Sequence, residues 1–445
     1  MLVIVLCNKE ERTLELRWIV LAVVVGVYLY LCLSTHHRAK AIWLGIAALV
    51  AAGYACGDAR LSLNALVRDA VIWNVIGVLA GAMLIADLFI ESRVPVLLAD
   101  LIADKARSAH MAMLGVCALA GAISAVCDNV TTVLLVSPVA LAISKRVRLS
   151  PVPLIIGIAV MANLEGAATL IGDPPSMMLA GYYRLGFNDF FVLQGRPFIF
   201  FAIQAGAVLG LAFLWLVFRL HRKRMEPVPV AEVKSWAPVW FIVVMVAFLV
   251  RSSHYDPGFR WLAGTGTVIL GVIALAWTFR RDAATARATV KRYEYPTIFF
   301  LMGIFVLAYA MNEFGWVKAI GDGITALVGR NPFVAYTVIV WFSVLVSGFV
   351  DNIAYVAVML PVTKVLAEGV GGSPMLYAGG LLVGACLGGN ITPIGAACNV
   401  VACGILRREG YPVSFWRFAK IGLPFTLAAT LAGYLFIWIF WRSAS

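Results

Sequence analysis

Eight stretches of this chain are apolar enough to be read as membrane-crossing helices: residues 18–34, 41–57, 71–90, 197–220, 237–251, 261–279, 296–313 and 421–441. A spanning helix needs about 20 mostly apolar residues, and this many such runs leave a soluble fold too little polar surface. Hydrophobic residues make up 62% of the 445 and charged residues 13%, where soluble domains run at roughly 45–50% and 25%. Soluble, disordered and fibrous chains are excluded, and a multi-span membrane protein remains. The net charge of +12 does not indicate a nucleic-acid partner, because the basic residues stand between apolar runs, where they set topology.

The eight cysteines (Cys7, Cys32, Cys56, Cys117, Cys127, Cys386, Cys398 and Cys403) form no CxxC pair, so neither a disulfide framework nor a zinc site is indicated. The five histidines fall at segment ends, which leaves intramembrane proton chemistry to carboxylates. Residues 1–7 are too few for a signal-peptide core, and no cleaved leader is expected.

Between the clear spans, residues 91–108 have mixed polarity and read as an interfacial helix. An apolar run follows over 111–127, is interrupted at Asp128-Asn129, and continues to Ser144; the next run, from Pro151, is broken at 166–175. The second half repeats this with 317–330, 332–350, Asp351-Asn352, an arm to Ala367, and a break at 388–395. The repeat is visible in the residues themselves. DNVTTVLLVSPV from Asp128 and DNIAYVAVMLPV from Asp351 share five of twelve residues; LEGAATLIG from Leu164 and LGGNITPIG from Leu387 share five of nine. Both matches sit at one offset, 223 residues, about half the chain, which indicates a duplication.

If each Asp-Asn marks the tip of a re-entrant hairpin, each half makes five crossings, and an odd number inverts the second half relative to the first. Placing RLHRKR (219–224) inside also puts HHRAK (36–40), KRVR (145–148), the 280–292 loop and Arg407-Arg408 inside, and leaves near-neutral stretches such as 58–69 outside. The expected architecture is all-α and polytopic. It comprises an N-terminal segment 1–17, a first repeat 18–222 (hairpin tip near 128, broken helix 151–181), a cytoplasmic linker 223–236, and a second repeat 237–443 (hairpin tip near 351, broken helix 375–406), with both termini outside.

Burying an ionised carboxylate at mid-membrane costs about 2.5–3.5 kcal/mol on insertion scales. Asp128 and Asp351 therefore each need a cation, a proton or a water-filled cavity. Asn129, Thr131 and Thr132 add neutral oxygens beside Asp128, as a hard cation requires; Na+ would be held at Asp128, Asn129 and Thr132. Gly166, Gly172, Pro174 and Pro175 break the helix around Thr169, and Gly388, Gly389, Pro393 and Gly395 do so around Thr392. Unwound backbone frees carbonyls for a cation, and the half-helix N-termini that follow can hold an anion. Asp173 serves equally well as a cap of the half-helix beginning at Pro174 or as an ion ligand. Asp87 and Glu313 read as packing or boundary residues, and Glu165 lies by the first break. Fewer oxygens follow Asp351, where Ala354, Tyr355 and Val356 stand. The second aspartate, in more apolar company, is thus expected to be the better proton carrier and the first site the tighter cation site.

At these residues the sequence resembles the ion transporter superfamily, in the branch holding arsenical-pump permeases and the melanosomal P protein of oculocutaneous albinism, related to divalent-anion/sodium symporters. DNVTTVLLVSPV, NLEGAATLIGDPPSMM, DNIAYVAVMLPV, GACLGGNITPIGAACNVV and GYPVSFWRFAKIGLP are similar to that branch's motifs, over roughly residues 79–424. The resemblance implies an inverted-repeat elevator transporter, usually a homodimer. It carries site roles over to Asp128, Asn129, Thr131, Thr132, Asn163, Thr169, Asp173 and, in place of the family's Asn, Ser176. In the second half they pass to Asp351, Asn352, Asn390, Thr392 and Asn399. The second hairpin departs from the pattern at Ala354-Tyr355-Val356, and GNITPIG replaces a GNGTLIG-like run.

The expected function is secondary transport of a small anion or weak acid coupled to Na+ or H+ in the plasma membrane, with no cofactor. Arsenite/antimonite efflux and Na+/H+ antiport are the alternatives within that class; an ATPase partner is implied only for an arsenical pump, since the chain has no GxxxxGK[ST] motif. An intramembrane aspartyl enzyme built on Asp128 and Asp351, and a passive channel, are the readings from other classes.

Overall fold

In a computed structural model, residues 9–33, 37–219 and 231–443 are described. Residues 1–8 (with Cys7), His36, His221 and most of the 219–224 cluster and of the linker lie outside the described residues. The first half begins with α1 (Lys9–Leu33) and α2 (Arg38–Cys56), then a turn region holding the three-residue α3 (Leu63–Ala65), then α4 (Trp73–Glu91). It continues with α5 (Val94–Lys105), α6 (Ala109–Ser124), α7 (Asn129–Val147), α8 (Val152–Gly166) and α9 (Pro174–Tyr183). A two-residue ribbon, β1 (Val192–Leu193) against β2 (Arg196–Pro197) with Val192 opposite Pro197, leads into α10 (Ile199–Phe218).

The second half runs α11 (Ala237–Tyr255), α12 (Leu262–Arg281), α13 (Ala283–Arg292), α14 (Tyr295–Glu313) and α15 (Trp316–Val328). Then come α16 (Pro332–Ser347), α17 (Asn352–Val370), α18 (Pro374–Gly388), α19 (Ala397–Arg408) and α20 (Phe415–Trp441). Corresponding helices have equal lengths: α4 and α14 have 19 residues each, α6 and α16 16, α7 and α17 19, α8 and α18 15. Among the described residues eleven helices are long and apolar enough to cross a membrane, and α15 and α16, bent by 119° at their junction, add a twelfth if taken together. The chain is an integral, multi-pass membrane protein. The mixed-polarity stretch at 91–108 folds as α5, which packs on the hairpin arms α6 and α7; its counterpart α15 packs on α16 and α17.

The helices sort into two packed groups. One is built from α1, α2, α4 and α11–α14, the other from α6–α10 and α16–α20. Within lipid there is little hydrophobic drive between helices, so close association depends on small residues that let backbones touch. The α4–α12 crossing shows this. A Cβ on Gly77 would stand 2.8 Å from Gly264 Cα, and one on Gly81 would strike the backbone of Thr267. Buried Asn74 pins the same crossing, donating from Nδ2 to Phe259 O at 2.9 Å and accepting from Gly264 N at 2.6 Å. In the second group α10 meets α20, where a Cβ on Gly206 would stand 3.0 Å from Ala429 O. Each of these crossings joins a helix of the first half to one of the second.

Candidate functional site

A cavity of about 980 Å³ lies between the two groups. Its walls include the start of α2, the end of α4 and the start of α14 from one group, and both Asp-Asn tips with the starts of α9 and α19 from the other. Exposed His37, Lys40 and Tyr295 stand at its rim. Four helices, α7, α9, α17 and α19, begin at this cavity, because Asp128, Asp173, Asp351 and Ala396 are their N-cap residues and all line it. A helix N-terminus carries about half a positive charge. Their convergence offsets the repulsion among three acidic caps, and at Ala396 leaves one such terminus with no acid beside it.

The first tip is held by local bonds. Asp128 Oδ2 accepts from Thr131 N at 3.0 Å, and Thr132 Oγ1 donates to Asp128 O at 3.0 Å. Buried Asn129 accepts at Oδ1 from Ser124 Oγ at 2.8 Å and donates from Nδ2 to Asn163 Oδ1 at 3.2 Å. Asn163 passes the link to the other half, donating to Cys386 O at 2.7 Å, and Asn390 returns it, donating to Val160 O at 3.0 Å. The two broken helices are thereby tied at their cores, each amide of one half satisfying a carbonyl of the other.

Of the residues singled out in the sequence, Asp128, Asn129, Thr131, Asn163, Asp173, Asp351 and Asn352 line the one cavity. Thr132, Thr169, Ser176, Asn390, Thr392 and Asn399 do not; they are buried in its walls. The two threonines act alike. Thr169 Oγ1 donates to Ala125 O and Thr392 Oγ1 to Gly348 O (2.5 Å), each fastening a helix break to the hairpin tip 44 residues upstream. Ser176 donates to Ala167 O at 3.2 Å, and Asn399 donates to Gly389 O and Thr392 O at 3.0 and 3.2 Å. Glu165 lies in α8 away from the cavity and accepts from Gln204 Nε2 at 2.7 Å.

Two expectations need correction. Asp173 does not cap α9 through its side chain; it accepts instead from Asn352 Nδ2 at 3.4 Å, across the two halves. Pro174 and Pro175, the first residues of α9, have no N–H, and the Ser176 N–H that follows donates to Asp173 O at 3.1 Å, so the carboxylate is free to turn elsewhere. Nor does Asp351 stand in apolar company. Arg38, the first residue of α2, places Nη1 2.7 Å from Asp351 Oδ2, while Oδ1 caps α17 by accepting from Ile353 N and Ala354 N at 3.1 and 3.4 Å. Arg38 belongs to HHRAK, read above only as a topology signal, and its partner is 313 residues away. Asp87, read as a packing residue, also faces the cavity. Its position near the end of an apolar helix was the available signal, since an acid there needs a polar surface.

The charge pattern defines what the cavity can hold. Among the described residues Asp351 is the cavity carboxylate with an ion-pair partner; Asp87, Asp128, Asp173 and exposed Glu294 supply acidic oxygens suited to a hard cation or a proton. Arg38 and the start of α19 supply the positive counterpart for an anion.

Residues 28–379 match the model of a family described as citrate transporter. Two uncharacterized transporters of Mycobacterium tuberculosis are each 31% identical, over 385 and 382 residues, covering 82% of this chain and 86% of theirs. The P protein of Homo sapiens is 27% identical over 508 residues, covering 94% of this chain, which spans 59% of that longer protein. In fold, the YdaH transporter of Alcanivorax borkumensis superimposes with a TM-score of 0.60 at 17% identity, covering 96% of this chain and 98% of that one. MtrF of Neisseria gonorrhoeae, described with a class of antimetabolite efflux pumps, gives 0.51 at 13%, covering 85% and 82%. The family and the mycobacterial relatives are described as transporters and not as enzymes, which removes the aspartyl-enzyme reading. The chain belongs to the citrate transporter family and is a membrane transporter of the secondary kind.

Proposed function

We propose that the protein moves a small carboxylate-bearing anion, citrate being the family's eponym, across the plasma membrane in company with Na+ or H+. The observation that carries this reading is the cavity in which four helix N-termini, four acidic side chains without an ion-pair partner among the described residues and one arginine meet. The acids suit the coupling cation or proton, and the arginine with the start of α19 suits the anion. Arsenite and antimonite are soft and prefer thiolates; the cavity is rich in oxygen ligands and holds two cysteines, Cys127 and Cys398, so the hard-ion reading is the better supported. In this reading no ATPase partner is needed.

In the same reading the group containing both hairpins (α6–α10 and α16–α20) slides as a body against the group containing α2, α4 and α14, as an elevator, and two copies assemble through the latter. The two halves are inverted, with five crossings and one re-entrant hairpin each. The rim residues His37 and Lys40 belong to the side assigned inside by charge, so the cavity is inward-facing.

Uptake into proteoliposomes tests the activity. Labelled citrate should accumulate above its equilibrium level when a Na+ or H+ gradient is imposed, and accumulation should collapse with an ionophore. Equilibration without accumulation would identify a channel instead. Thiol labelling tests the inversion. In a cysteine-depleted protein, single cysteines at the exposed positions Lys40 and Arg287 should resist an impermeant reagent added outside, whereas one at exposed Asn64 should react. Reaction of all three from one side would rule out the inverted arrangement.

A further inference from the structure

We propose that Arg38 is the residue that recognises a carboxylate of the transported anion, and that Asp351 occupies it as a built-in competitor until the anion arrives. The inference rests on the carboxylate-transport reading above and adds the contact that selects the substrate class.

The ion pair joins the two helix groups: Arg38 opens α2 in one, and Asp351 caps α17 in the other. Its geometry is incomplete on the arginine side. A guanidinium presents its N–H groups in a planar fork that suits two parallel bonds to one carboxylate. Here Asp351 bonds through Nη1, and Nε is buried with no hydrogen-bond partner among the described residues. A buried donor left unsatisfied is costly, and a carboxylate seated side-on against Nε and Nη2 would satisfy it. On the aspartate side the bond is easily surrendered, because Oδ1 keeps its bonds to Ile353 N and Ala354 N when Oδ2 lets go.

Charge elsewhere in the cavity points the same way. Asp87, Asp128, Asp173 and Glu294 repel an anion, Lys40 is exposed at the rim, and Arg38 is the arginine among the described lining residues. An entering carboxylate and Asp351 therefore compete for one guanidinium. A purely structural strut between the helix groups would make a different prediction, because breaking it from either end would have the same consequence.

Equilibrium binding of labelled citrate to the purified full chain distinguishes the two. Arg38→Gln should weaken binding at least about tenfold, through loss of a charge-assisted bond. Arg38→Lys, which keeps the charge and loses the fork, should fall between it and wild type. Asp351→Asn should tighten binding several-fold, since the competitor's charge is gone while the amide oxygen can still cap α17. The double variant Arg38→Gln/Asp351→Asn has no unpaired charge at this position and should bind as poorly as Arg38→Gln, which keeps the test decisive if a single variant fails to fold. Shifts of the same sign in Arg38→Gln and Asp351→Asn, or a double variant that binds like wild type, would overturn the proposal. Uptake by the wild type of citrate, succinate and malate is measured in parallel. If none is transported, the carboxylate reading fails and this inference with it; if citrate is transported and Arg38→Gln binds it normally, only this inference fails.

Discussion

Asp128→Asn is expected to reduce transport at least ten- to a hundredfold while leaving the fold intact. The side chain has two jobs at the first hairpin tip. It caps α7 by accepting from Thr131 N at 3.0 Å, and an asparagine oxygen performs that task about as well. It also presents a carboxylate to the cavity, where no described cation pairs with it. Only the second job is lost in the variant. Bonds involving a charged group contribute about 1.5–3 kcal/mol, and each 1.4 kcal/mol is a factor of ten in binding, which sets the expected range. Wild-type protein should gain thermal stability on adding the coupling cation, because a ligand that binds only the folded state stabilises it. The variant should melt near the cation-free wild type and gain little. Retention of the full cation-dependent shift in Asp128→Asn would remove this aspartate from the coupling site. Asp351 differs because Arg38 already neutralises it, so cation-dependent stabilisation should survive in Asp351→Asn.

Gly264→Val is expected to prevent accumulation of folded protein. A Cβ there would stand 2.5 Å from Asn74 O and 2.7 Å from Asn74 Oδ1, atoms held by the tightest crossing between the two halves. To relieve this, α12 must withdraw from α4, which breaks the 2.6 Å bond from Gly264 N to Asn74 Oδ1 and separates Gly77 from its close approach. Overpacking costs about 1–3 kcal/mol, and a buried polar group left without its partner about 1–3 more. The sum, about 2–6 kcal/mol, is a large part of the 5–15 kcal/mol by which proteins are generally stable. Gly323→Ala is the matched control, since its Cβ would meet nothing within 4 Å on the exposed face of α15, and alanine favours helix. Yield and monodispersity on size-exclusion chromatography, with melting temperature in detergent, provide the measurement. A Gly264→Val protein that behaves like Gly323→Ala would mean that the α4–α12 crossing is looser than its backbone contacts imply.

Class and rough layout were legible in the residues, and for local reasons. A run of about 20 apolar residues has no stable place but a bilayer or a core, so the eight clear spans fall on α1, α2, α4, α10, α11, α12, α14 and α20. Runs that combine Gly and Pro disfavour helix, and the breaks near Thr169 and Thr392 separate α8 from α9 and α18 from α19. An Asp-Asn pair within an apolar stretch must find polar company, and both tips line the cavity. The duplication made each of these features count twice.

What only the tertiary structure decided is which polar group faces the cavity and which one holds its wall. Thr131 and Thr132 are neighbours in sequence, yet the first lines the cavity and the second is buried against Asp128 O. Thr169 and Thr392 have the composition of ligands, but their hydroxyls lie within reach of hairpin carbonyls and bind those. Arg38 has the composition of a topology signal, but it meets a carboxylate from the other half of the chain. Apolar length, helix breaking and charge bias are properties of a segment and can be read from it. The partner of a hydrogen-bonding group is set by packing between segments hundreds of residues apart, and a single sequence carries no record of that distance.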